Sequence, residues 1–219
     1  MSLDLPVTLA RLEAWLSAHA PAIHAQLTPG VTETDLEALE AHIGLKLPEA
    51  YRILYRTHEY WGKAFGLDHV PLSHIYGEWG AWRDLEPDFQ ETEGHVSHPS
   101  GAIKTQYINL GWIPLLRDWG GNAVGLDFDP GPVGKVGQVI TFGRDERQKF
   151  VLADSLDAFL REYLERLEAG RVTVQPLEGF DDETWSIALH DAQGEPVNEY
   201  GVLADLYPGF GATPARRSH

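Results

Sequence analysis

WIPLLRDWGGNAVGLDFDPGPVGKVGQVI, residues 112–140, is the stretch from which the fold can be read. Its apolar runs, 113–116, 124–128 and 136–142, are short and bounded by Gly, Pro, Asn and Asp, the punctuation expected of strands joined by turns. The connections are 118–122 and 129–134. Three sheet strands with glycine-rich links are therefore expected at the centre of the chain.

Upstream, the apolar spacing changes from two to three and four. Leu9, Leu12, Trp15, Leu16 and His19 repeat as one helix face, with Pro6 suited to the first turn. Pro21 restarts the pattern through Ile23 and Leu27 until Thr28, Pro29 and Gly30 break it. Thr32 with Asp35 forms a capping-box arrangement ahead of the stripe Leu36, Leu39, Ile43, and Gly44 is the expected stop. Pro48 opens a third helix carrying Tyr51, Leu54, Tyr55 and His58 on one side. The aromatic segment 73–85 reads as helical despite Gly77 and Gly80, whereas 86–100, with its acids and prolines, reads as a solvated surface loop.

Nearer the centre, 103–109 suggests an added strand and 151–152 closes the sheet. Asp154 or Ser155 caps a helix whose Leu156, Phe159, Leu160, Tyr163, Leu164 and Leu167 fit helical spacing up to Gly170. Beyond it Val172 and Val174 alternate, 184–189 suggests a strand, and Asp191 and Gly194 mark a turn. The tail from 209 has no period and is expected to fray. These elements give an α+β chain: N-terminal helices on a mainly antiparallel sheet, a closing helix, and a small β-containing extension. Residues 1–170 form the expected domain and 171–219 the partly ordered extension.

Composition narrows the function classes. Seventeen basic and 33 acidic residues leave a formal charge of −16, which disfavours phosphate backbones and anionic lipid and favours a basic partner. With no cysteine, the chain has neither disulfides nor thiolate sites. No apolar run approaches a membrane span, and an acid stands where a secretory signal would be basic, so a cytoplasmic protein is expected.

Several motifs carry residues capable of chemistry. Asp127 and Asp129, two apart, would share a strand face about 7 Å from one another and could hold a cation with Asp118 and Asn122, or act as a hydrolytic pair. The alternative is turn chemistry, with Asp127 serving a backbone hydrogen bond. GPVGKVG lacks phosphate-loop spacing, no serine lies in G-x-S-x-G, and His58-Glu59 has no histidine at the required spacing. His69, His74, His95 and His98 read as packing or surface histidines. No catalytic residue, metal or cofactor is assigned.

The order L-x-L-P-E-A-Y at 45–51, the central W-I-P-L, G-G-N and D-x-D-P-G-P-x-G-K-x-G-Q-V-I, then F-x-R-D-E and V-L-A-D-S-x-x-x-F-L, resembles the SUKH superfamily over about 31–167. Within it, the chain is similar to the branch of fungal cell-wall assembly and killer-toxin-resistance regulators and bacterial immunity proteins. The resemblance implies an α+β domain that binds protein rather than catalyses. Its first implied role is neutralising a toxin, with a basic toxin domain such as a nuclease as partner; the alternative is a regulatory scaffold in cell-wall or envelope metabolism. Gly120, Gly121, Pro130, Gly131 and Gly134 are assigned to the structural motif. Trp112, Asp118, Trp119, Asn122, Asp127, Asp129 and Lys135 are the candidate partner-binding residues, on turns that form the expected partner-facing edge.

Overall fold

A computed structural model describes residues 5–89, 93–177 and 184–215. The N-terminal region is helical: α1 (Leu5–His19), α2 (Pro21–His24), α3 (Glu33–Ile43) and α4 (Glu49–Thr57). Local chemistry sets their ends. The Thr32 side chain accepts from Asp35 N while Asp35 Oδ2 accepts from Thr32 N at 2.9 Å, closing the expected capping box, and Gly44 at φ 73 supplies the left-handed stop. The segment 73–85 falls within α5 (Leu72–Leu85).

The central strands are β3 (Trp112–Arg117), β4 (Asn122–Asp127), β5 (Gln138–Gly143) and β6 (Gln148–Ala153), preceded in the chain by β1 (Asp68–His69) and β2 (Val96–His98). They form one sheet in the order β1-β3-β4-β5-β6-β2, antiparallel except for the β2–β6 pair. Strand periodicity sorts the side chains. Val124, Leu126, Val139, Phe150 and Leu152 face the helices, whereas Ala123, Ile140, Phe142 and Val151 join Trp112 and Ile103 in a smaller cluster on the opposite face. Gly125 permits close strand approach, since a Cβ there would lie 2.1 Å from Ile113 O.

Two expectations are corrected. Residues 103–109 form no strand: Ile103 N donates to Ser97 Oγ, Gln106 N to Lys104 O, and Ile108 O accepts from Gln106 Nε2, so these groups serve local turns instead of a ladder. Residues 86–100 are not simply a solvated loop: β2 adds an edge strand, and buried Ser97 accepts from Ile103 N at 2.9 Å. Positions 90–92 of that segment lie outside the described residues.

Helix α6 (Leu156–Glu168) is capped by Ser155, whose hydroxyl accepts from Ala158 N at 3.2 Å, and all six apolar residues of its expected stripe are buried. Beyond it, β7 (Val172–Pro176) and β8 (Trp185–Leu189) form a two-stranded antiparallel sheet. The next segment returns to the main core: Leu203, Tyr207 and Phe210 are buried there, and Tyr207 Oη donates to Phe65 O at 2.8 Å. Phe210, in the tail expected to fray, lies 5.6 Å from the Phe159 ring, and Ala212 N donates to Val151 O. Burial of large aromatic area fixes this segment where local periodicity is silent.

Candidate functional site

The register separates the seven candidate residues into two groups. Trp112 pairs with Asp127 and Arg117 with Ala123, so Asp118, Trp119 and Asn122 lie at one end of the sheet while Asp127, Asp129 and Lys135 lie at the other. A six-residue strand holds these ends roughly 17 Å apart. They do not form a single site.

At the Asp127 end, the turn alternative describes what is present. Strand β4 ends at Asp127, which is fully buried; its Oδ1 accepts from Asp129 N at 3.0 Å and its Oδ2 from Gln138 Nε2 at 2.9 Å. Burial pushes its carboxyl up to about 6, with these hydrogen bonds opposing the rise. Asp129 has left the strand and pairs with Lys104 Nζ at 2.5 Å and Asn109 Nδ2 at 3.2 Å. The shared strand face expected for a cation is therefore not formed, because the chain turns between the two carboxylates. Among the described residues no group of three or more His, Asp and Glu is placed to hold a metal.

The 128–137 connection is held tightly. Gly131 and Gly134 rest on the 101–102 backbone, where Cβ atoms would meet Gly101 O at 2.2 Å and Ala102 O at 2.0 Å. Gln138 clamps the loop by donating to Ala102 O and accepting from Lys135 N. The Lys135 ammonium pairs with Asp154, and Val133 and Val136 stand out 66% and 69% exposed. Val136, expected to open the third strand, lies instead in this loop, because the strand begins at Gln138.

At the other end, Asp118 builds the β3–β4 turn. Its Oδ1 accepts from Gly120 N and Asn122 N, and its Oδ2 from Asn122 Nδ2 at 2.8 Å. Buried Asn122 in turn accepts from Asp145 N, tying this turn to the next hairpin. Trp119 has φ 65, the only non-glycine positive φ among the described residues, and is 65% exposed. Such a conformation in a bulky residue is unfavourable and is held by the surrounding bonds. The Arg117 guanidinium lies 3.6 Å from the Trp119 ring centroid and is itself fixed by Asp68 at 3.3 Å, Glu78, and His74 Nδ1 at 3.1 Å. A rigid cation thus supports one indole face.

Trp119 borders two hollows. One, of about 160 Å³, runs to Lys63, Gln175, Asn198 and Tyr200; the other, of about 290 Å³, runs to Glu78, Trp82 and Pro114. Arg117 was missed as a site residue because its role depends on β1 and α5, which sequence spacing does not connect. Trp112, Asn122 and Asp127 are buried, so their side chains support these turns from within. Among the candidates, Trp119 and Lys135 are exposed and Asp118 and Asp129 half-buried.

The histidines do not converge on a site. His69 is fully buried, with burial pushing its imidazole down to about 3, and His98 stacks on Phe150 with centroids 4.4 Å apart. Among the described residues no helix is long and apolar enough to cross a membrane.

Comparison with known proteins places this architecture. The sequence profile of the SMI1 / KNR4 family (SUKH-1) matches residues 30–162. The chain is 31% identical to the cell wall biosynthesis/cell cycle regulator smi1 of Schizosaccharomyces pombe, over 92% of this chain and 42% of that protein. It is 28% identical to the glucan synthesis regulatory protein of Neurospora crassa, over 85% and 42% of the two chains, and 28% identical to the cell wall assembly regulator SMI1 of Saccharomyces cerevisiae, over 73% and 39%. The chain spans about two fifths of the length of these relatives. The profile covers α3, α4, α5, part of α6 and the whole six-stranded sheet, and on that match the chain belongs to the SMI1 / KNR4 family (SUKH-1).

Proposed function

We propose that this chain is a non-catalytic protein-binding module that acts as a regulatory scaffold in cell-wall or envelope metabolism, and that it engages its partner through the Trp119 turn. The observation that carries the proposal is Trp119 itself. A large aromatic held out from a strained turn, with its ring supported by Arg117 and a hollow on each side, has the form of an interface anchor. An indole loses little side-chain freedom on docking when it is already fixed. The relatives named as wall and glucan-synthesis regulators support the regulatory role over toxin neutralisation, the role given first place on resemblance and acidity. Half-buried Asp118 and Asp129 and exposed Lys135 belong to this proposal as polar members of the two turns, with Trp119 supplying the affinity.

The test is genetic and biochemical together. Deleting the gene in its host is expected to change sensitivity to wall stress, with Trp119→Ala behaving like the deletion while folding normally. Unchanged wall-stress sensitivity on deletion, together with stoichiometric co-purification of a toxin, would replace the regulatory role by immunity.

A further inference from the structure

Among the described residues, one edge of β7 is open. The bonds flanking its ladder run from His190 N to Arg171 O at 3.0 Å and from Leu177 N to Thr184 O at 2.8 Å, with Thr173 opposite Ala188 and Gln175 opposite Ser186. By antiparallel alternation, Thr173 and Gln175 turn their main-chain groups toward β8, and Val172 and Val174 turn theirs outward. Among the described residues no main-chain group bonds these outward positions.

Beside that edge lie hollows of about 510 and 300 Å³. The first is lined by Trp15, Leu167, Val172 and Val174; the second continues past His19 to Ile23 and Trp185. His19 and Val174 line both, so the two form one groove along β7. Trp15, Val172, Val174 and Trp185 all pack on the main core. The groove therefore lies on the pleat face that carries Val172, Val174 and, from β8, Trp185, the face toward which alternate side chains of a strand added at the open edge would point.

Charge specifies the occupant. Helix α1 ends at His19 and α6 at Glu168, both on the groove. Each helix C-terminus carries about half a negative charge; Glu168 is paired through both carboxylate oxygens with Arg11, and Arg171 stands exposed at the start of β7, so the attraction for a basic segment comes from the helix ends and the chain's overall acidity. A second copy of a chain with formal charge −16 would bring the wrong sign. We propose that the open edge of β7 binds an extended basic peptide segment of a partner protein, which adds as a third strand with apolar side chains at alternate positions filling the two hollows. Gln175 of β7 borders the Trp119 hollow, whereas Val172 and Val174, on the opposite pleat, line this groove.

The probe is an acetylated, amidated synthetic peptide alternating valine and lysine, titrated by fluorescence anisotropy at about 0.15 M salt, where exposed long-range attraction is screened. Binding is expected to slow hydrogen exchange at the Val172 and Val174 amides. Val174→Pro removes an outward N–H while sparing the β8 ladder and is expected to weaken binding about tenfold. A peptide N-methylated at the residues facing β7 keeps its charge and is expected not to bind, a control that leaves the protein untouched. Equal binding of the N-methylated peptide, no exchange protection up to about 1 mM peptide, or dimerisation of the free protein through β7 would overturn the proposal. Trp119→Ala is expected to bind the peptide normally, so failure here is distinguishable from failure of the Trp119 surface.

Discussion

Glu146 sits in the β5–β6 turn with 3% of its surface exposed. Its Oε1 accepts from Leu203 N at 2.9 Å, which ties the C-terminal segment to the sheet, while Lys149 Nζ donates at 2.6 Å to the Glu146 main-chain carbonyl and not to the carboxylate. Burial pushes the carboxyl up to about 7 from its ordinary 4.5, and hydrogen bonding from Leu203 N opposes the rise only in part. At about 1.4 kcal/mol per pH unit, ionisation of Glu146 disfavours the fold by about 3 kcal/mol once complete. The sign follows from proton binding. Below 4.5 both states are protonated; between 4.5 and about 7 the unfolded chain loses its proton first, so stability falls as pH rises and then levels. Glu146→Gln keeps an acceptor for Leu203 N and removes the titration. In urea unfolding at stepped pH, the variant's advantage over wild type is expected to grow from near zero at about pH 4 to about 3 kcal/mol at about pH 8, with an unchanged denaturant slope. A variant less stable than wild type at the higher pH would refute the reasoning, because it would mean that Leu203 N and Lys149 stabilise the carboxylate by more than burial costs.

Phe210→Ala is expected to cost about 3 to 5 kcal/mol by urea denaturation, since the ring is fully buried against Phe159 and Tyr207; a loss under about 1 kcal/mol would mean that the segment does not share the core. His69 stays neutral in the fold down to about 3, whereas the unfolded chain takes up a proton near 6.5, so His69 makes wild type lose stability as pH falls between those values. His69→Phe is expected to remove that part of the slope, as read from the difference between the two unfolding curves across acid pH. Thr32→Ala opens the α3 capping box and is expected to cost about 1 kcal/mol, measurable as a lowered thermal midpoint.

Elements whose cause is local were legible in the sequence. Thr32 and Asp35 announced α3, the six apolar residues from Leu156 to Leu167 announced α6, and the short apolar runs of β4 and β5 between turn residues placed the sheet. Features with distant causes were not. Strand β2 exists because three residues after a polar stretch lie parallel to β6, and residues 103–109 fail to form a strand because Ile103 N goes to Ser97 while Lys104 O and Ile108 O are taken by Gln106. The candidate site divided on the same principle. Asp127 and Asp129 looked like a pair in sequence, yet a single turn sends one inward to Gln138 and the other outward to Lys104. Trp119 was named among the candidates, but its support by Arg117 depends on contacts to Asp68 and Glu78, 49 and 39 positions away.

The most direct test compares wild type with Trp119→Ala in quantitative affinity capture from the host cell, after matched thermal midpoints establish that both are folded. Loss of a central aromatic anchor costs at least about 2 kcal/mol, so recovery of the wall-associated partner is expected to fall by more than about tenfold, while Val133→Ser at the opposite end of the sheet leaves it unchanged. Equal recovery by wild type and Trp119→Ala would contradict the assignment of the Trp119 turn as the partner-binding surface.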